Sequence, residues 1–73
     1  MTILKQEYLT AIDKSIKELR DLLNETEDEQ ETKRISEIIA RDLEFRRMVL
    51  LGKYDDLSAK QKEYLDSIKR SFS

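Results

Sequence analysis

Along the first third of the chain, apolar residues recur at helical spacing. Tyr8, Ile12, Ile16, Leu19 and Leu23 fall on one stripe at about 100° per residue, widened by Leu4, Leu9 and Leu22. The opposite face carries charges four apart, Asp13 with Lys17 and Lys17 with Asp21, which suits an exposed helix surface. The pattern predicts a first helix over about residues 3–23. A second stripe passes through Ile35, Ile38, Ile39, Leu43, Phe45, Val49 and Leu50. Gly52, just after Leu50 and Leu51, suits the left-handed residue that closes a helix. At the front of this helix, Thr26 and Glu29 fit a capping box, and the acids after Thr26 suit the positive end of a helix dipole. Thr32 is an alternative cap, because the first apolar residue is Ile35. The second helix is therefore expected to begin between Glu27 and Lys33, behind an acidic turn over about 24–31, and to end near 51.

A loop over 52–58 leads to a second capping box, Ser58 with Gln61, and Ala59 suits the first turn that follows. Leu65, Ile68 and Phe72 make the third stripe, with Tyr64 beside it, so the third helix should span about 59–71. It is too short to be stable alone and must dock on the first two. Short connections make consecutive helices antiparallel neighbours. The expected fold class is all-α: one domain over 1–73, a three-helix up-down-up unit built from a long helical hairpin and a short C-terminal helix. Such a unit can also dimerise into a helical bundle.

Register bears on what this unit leaves bare. A tight turn near Glu25 sets Leu23 against the polar turns before Ile35, whereas a looser loop reaching Thr32 sets it against Ile35 itself. In either case a third helix of about 13 residues reaches only roughly 20 Å at 1.5 Å per residue. It is expected to cover the Leu4 end of the hairpin and leave the Leu22–Leu23 end open to a partner or a second copy.

Two charges interrupt the second stripe. With Ile35 at zero, Asp42 projects at about −20° and Arg46 at about +20°. Three readings are open: an internal i, i+4 ion pair with the arginine stem along apolar surface; a device fixing the register of a dimer; or part of a target-binding face with Arg41 and Arg47.

Composition narrows the chemistry. Charged residues make up 41% of the chain, against roughly 25% in an average protein, so long solvated helix faces are expected. Cysteine and histidine are both absent, which removes thiolates, sulfur-ligated metals and the commonest general base. Glu37 and Glu44 lie at helical spacing, yet a ferritin-like metal site pairs glutamate with histidine three residues on. The acidic run Glu25-Thr26-Glu27-Asp28-Glu29-Gln30-Glu31 has neither the alternating oxygen ligands nor the glycine of a calcium loop. No Gly-rich phosphate cradle is present. No apolar run approaches the ~20 residues of a membrane span, and no secretion signal is visible. The expectation is a non-enzymatic, cytoplasmic protein with no cofactor, metal, membrane or small-molecule substrate.

Nucleic acid is the alternative partner. The hairpin and its Asp28-Glu29-Gln30 turn resemble small plasmid copy-number regulators, a likeness that implies RNA binding through one face of a dimeric four-helix bundle. It extends to those residues and that architecture alone, and the third helix departs from it. Arg41, Arg46 and Arg47 would supply the basic side of such a surface, and Tyr54 could stack on a base. However, Asp42 and Glu44 share the helix, Asp55 and Asp56 follow Tyr54, and net charge is −2, so few phosphates could be neutralised. Helix 3 carries Lys60, Lys62, Lys69 and Arg70 against Glu63 and Asp66, a weak excess for membrane binding. The favoured function is helix-face docking on a larger protein, as adaptor, subunit or phage-type inhibitor. Leu22, Leu23, Leu51 and Phe72 are the expected apolar anchors, with Asp42, Arg41, Arg46 and Arg47 as charged contacts. Leu51, about 160° from the stripe centre, is either covered by helix 3 or exposed as an anchor.

Overall fold

A computed structural model describes residues 2–72, with side chains from Lys5 to Phe72. Leu4, expected to widen the first stripe, therefore lies outside the side chains described. Helix α1 spans Thr2–Glu25, α2 spans Glu29–Leu50, a single 3₁₀ turn spans Tyr54–Asp56, and α3 spans Ala59–Phe72. The architecture is the all-α, three-helix unit expected from the apolar periods, and no strand is present among the described residues.

The chain takes the tight form of the first turn. Only Thr26, Glu27 and Asp28 separate α1 from α2, and the Thr26 amide still donates to the Leu22 carbonyl at 3.0 Å. The cap of α2 is Asp28, whose carboxylate accepts from the Gln30 amide at 2.9 Å. Neither Thr26 nor Thr32 caps the helix, which corrects that expectation. In so short a turn Asp28 is the residue left in extended conformation next to the first orphan amides. Aspartate caps at least as well as threonine there, and its charge faces the positive end of the helix dipole.

The other two signals appear as expected. Gly52 has φ +73°; its amide donates to the Val49 carbonyl at 3.0 Å while the Lys53 amide donates to Met48 at 2.9 Å. This pair of bonds closes α2 in a Schellman motif. At α3, the Ser58 amide donates to Gln61 Oε1 at 2.8 Å, and the Gln61 amide donates to Ser58 Oγ at 3.2 Å. That reciprocal pair is a capping box.

The core sits towards one end. Tyr8, Ile12 and Ile16 of α1, Phe45 and Val49 of α2, Leu57 of the loop and Leu65 of α3 form one buried cluster. Leu9, Ile39, Met48, Tyr54 and Tyr64 pack around it. Helix α3 is tied back to α1 by the Lys69–Glu7 ion pair at 3.1 Å and by Lys14 Nζ donating to the Phe72 carbonyl at 3.2 Å. With 24, 22 and 14 residues, the helices are ~36, ~33 and ~21 Å long at 1.5 Å per residue. The third helix therefore cannot cover the hairpin. The molecule measures 41 × 22 × 18 Å, with three helices at one end and two at the other.

Candidate protein-docking surface

The charged interruption of the α2 stripe resolves into two separate contacts. Asp42 is fully buried, at 0% exposure. Its carboxylate accepts from Ser15 Oγ of α1 at 2.9 Å and from the Tyr64 hydroxyl of α3 at 2.6 Å. One residue from each helix thus meets at a single polar clasp inside the bundle. Arg46 turns instead to α1, where Nε donates to Asp13 Oδ1 at 2.8 Å. The expected Asp42–Arg46 pair does not form, because a nearer set of neutral donors satisfies Asp42 and Asp13 lies within reach across the helix seam. The expected Asp13–Lys17 pairing gives way to this cross-helix bond. Asp42 therefore belongs to the interior of the chain and is not the surface contact expected of it.

Tyr64 also carries the Arg41 guanidinium over its ring at 5.1 Å from the centroid, and packs against Phe45 at 5.3 Å between centroids. Burial raises the Tyr64 hydroxyl pKa, the hydrogen bond to Asp42 raises it further, and Arg41 partly opposes the shift. A second polar cluster lies under the α2–α3 corner. Tyr8 donates to Asp66, so the contact between the Tyr8 and Tyr54 hydroxyls at 3.3 Å has Tyr54 as donor. The two rings stack at 5.2 Å. Burial, then the bonds to Asp66 and Tyr54, push the Tyr8 hydroxyl pKa up. Tyr54 is thereby held against the core and is not presented for base stacking. These carboxylates and hydroxyls are one another's partners, and no buried side-chain polar atom among the described residues lacks one. Their arrangement ties the three helices together in one register.

The open end of the hairpin offers a different surface. Leu19 and Leu22 of α1 with Ile35 and Ile38 of α2 floor a groove of about 360 Å³, edged by Glu25, Thr26, Glu31 and Arg34. No residue of α3 lines it. Leu22, a predicted anchor, is 52% exposed, while Leu23 is half-buried and does not line the groove. The outer flank of Leu22 is acidic, bounded by Glu18, Asp21 and Glu25. A larger groove of about 520 Å³ has a floor of Ile16 and Leu43 and is ringed by Lys17, Arg20 and Arg46 against Asp13 and Asp21. Opposite charges within that rim neutralise one another, which leaves the smaller groove as the better apolar seat.

The remaining predicted residues are dispersed. Leu51 is 57% exposed beside Gly52 and is not covered by α3. Arg47 is exposed, and Phe72 is half-buried where α3 meets α1. Of the three arginines assigned to a basic surface, Arg41 is stacked on Tyr64 and Arg46 is paired with Asp13. Leu19, Ile35 and Ile38 were visible as stripe residues but not as a groove. Ile35 is itself buried, and how far the half-buried Leu19 and Ile38 stay open depends on where α3 stops over the hairpin, which a periodic pattern does not report. No group of three or more potential metal ligands comes together among the described residues, and none of their helices is long and apolar enough to cross a membrane. Compared with models of protein families, with curated proteins and with solved structures, the chain matches none.

Proposed function

We propose that this chain is a non-catalytic protein–protein interaction module that receives a helix of a larger partner in the groove at the open end of its hairpin. The observation that carries this reading is the apolar floor of Leu19, Leu22, Ile35 and Ile38, which α3 does not cover. Apolar grooves between two helices are common seats for an amphipathic helix, because a third helix completes the burial that two leave unfinished. Adaptor, subunit and inhibitor roles all fit this mode of action, and a cytoplasmic setting belongs to the same reading. Engagement of Arg41 and Arg46 within the chain weighs against a nucleic-acid surface on α2.

Affinity capture from a cell lysate, with and without nuclease, tests the proposal. Capture of a protein should survive nuclease and be lost in Leu22→Asp. This variant should fold normally, since Leu22 is half in solvent already. Capture that needs nucleic acid, or that is indifferent to Leu22→Asp, overturns it.

A further inference from the structure

We infer that the helix received by this groove is a basic amphipathic one. The inference rests on the docking reading above and adds the chemistry of the partner.

The groove lies on the face that α3 covers lower down. On α1, Ala11 and Ser15 are buried, and Leu22 follows Ser15 by seven residues, two full turns on the same side. On α2 the same face runs from Val49 through Phe45 and Asp42 to Ile38 and Ile35. A helix seated on Leu22 and Ile38 would therefore continue the third layer of the bundle beyond the reach of α3, its side-chain ridges packing into the groove.

Charge selects which helix. The groove and the outer flank of Leu22 carry Glu18, Glu25 and Glu31, with Arg34 the opposing charge. Asp21 on that flank also faces Lys17 and Arg20 in the neighbouring groove, so the excess acid lies in Glu18, Glu25 and Glu31. Among the described residues the ion pairs are Arg46–Asp13 and Lys69–Glu7, so no carboxylate of this rim is neutralised by such a pair. Glu29 and Glu31 gain from the positive end of the α2 dipole, but Asp21 and Glu25 stand at the C-terminal end of α1. That end is electrically negative, and its last turn contains no basic residue. These acids repel the helix that bears them, and lysines or arginines flanking an apolar stripe would relieve the repulsion on docking. The same rim disfavours phosphates and anionic lipid. A second copy is also disfavoured, because a two-fold axis through the groove would set two acidic rims side by side. Helix α3 of another copy, although basic, has Leu65 and Ile68 buried in its own core.

The test uses the full chain and a fluorescent synthetic helix with leucines on one face and lysines flanking them, beside a counterpart with every lysine replaced by glutamate. Anisotropy should show the lysine peptide binding at least about tenfold more tightly, with the preference falling as salt rises. Glu25→Lys with Glu31→Lys should reverse the preference. Leu22→Asp should abolish binding of both peptides while circular dichroism stays unchanged. Equal affinity for the two peptides, no binding of either, or lysine-peptide binding that persists in Leu22→Asp overturns the inference. So does a dimer by light scattering that Leu22→Asp makes monomeric. If lysate capture is lost in Leu22→Asp yet unchanged in the charge-reversed double variant, docking stands and the basic helix fails. If capture ignores Leu22 altogether, docking itself fails.

Discussion

Asp42 is the residue on which the three helices agree. A buried carboxylate is tolerated only where donors surround it, and here one comes from α1 and one from α3. Removing it strands those donors unequally. Ser15 can turn its hydroxyl to a carbonyl of its own helix one turn back, whereas Tyr64 has no such recourse. Asp42→Ala should therefore destabilise the chain by about 2–3 kcal/mol, and Tyr64→Phe by about 1–2 kcal/mol. Adding Tyr64→Phe to Asp42→Ala should cost almost nothing more, since its partner has already gone. Urea unfolding of the three variants checks this, and additive losses would show that the bond carries no coupling. The tyrosines also set an alkaline limit. Folding raises the hydroxyl pKa of Tyr8 and Tyr64 above the free value, which is about 10. The neutral hydroxyl is thus favoured in the folded chain. The stability it contributes is intact below about pH 10 and is lost as pH rises through the folded pKa values. Urea midpoints should fall above about pH 10, and should fall less steeply in a Tyr8→Phe, Tyr64→Phe double variant that starts from lower stability at neutral pH.

Each helix ends for a local reason. Gly52 holds φ +73°, and a Cβ added there would meet nothing within 4 Å. Gly52→Ala should therefore destabilise by the backbone term alone, about 1 kcal/mol, with Gly52→Asn costing less. Thermal melts would show the ranking, and an alanine variant as stable as the parent would refute a left-handed cap. Local signals of this kind were legible beforehand: the three apolar periods, Gly52, and the Ser58–Gln61 box all report on bonds within a few residues of themselves. The start of α2 was not, because Thr26, Asp28 and Thr32 are all competent caps, and only the length of the turn chooses among them. The fate of Asp42 and Arg46 was legible only by half. Periodicity put both near the stripe centre, but their partners lie 22 to 33 residues away on other helices. Nothing in a repeat along one helix says which residue of another will face it. The open end was foreseen from the shortness of α3, while the groove floor of Leu19, Ile35 and Ile38 needed the register of the tight turn.

At the scale of the whole molecule, stability should be as uneven as the layering. A chain of this size buries little surface per residue, and its core cluster draws on all three helices only at the Tyr8, Phe45 and Leu65 end. The opposite end is a two-helix hairpin with a half-exposed leucine and an acidic turn, so it can open locally while the core stays formed. Amide hydrogen exchange should resolve the two. Amides of Ile12, Phe45 and Val49 should exchange near the rate of global unfolding, and those around Leu22 and Ile38 at least about tenfold faster, through sub-global opening. On the docking proposed above, a helix in the groove would add a third layer at that end, so saturating lysine peptide should slow exchange there and narrow that gap. Uniform protection in the unbound chain would mean that two helices suffice to hold the distal end closed. The partly open groove floor would then be a stable surface with no ordering left for a partner to supply, and slower exchange on binding would lose its meaning as a sign of docking.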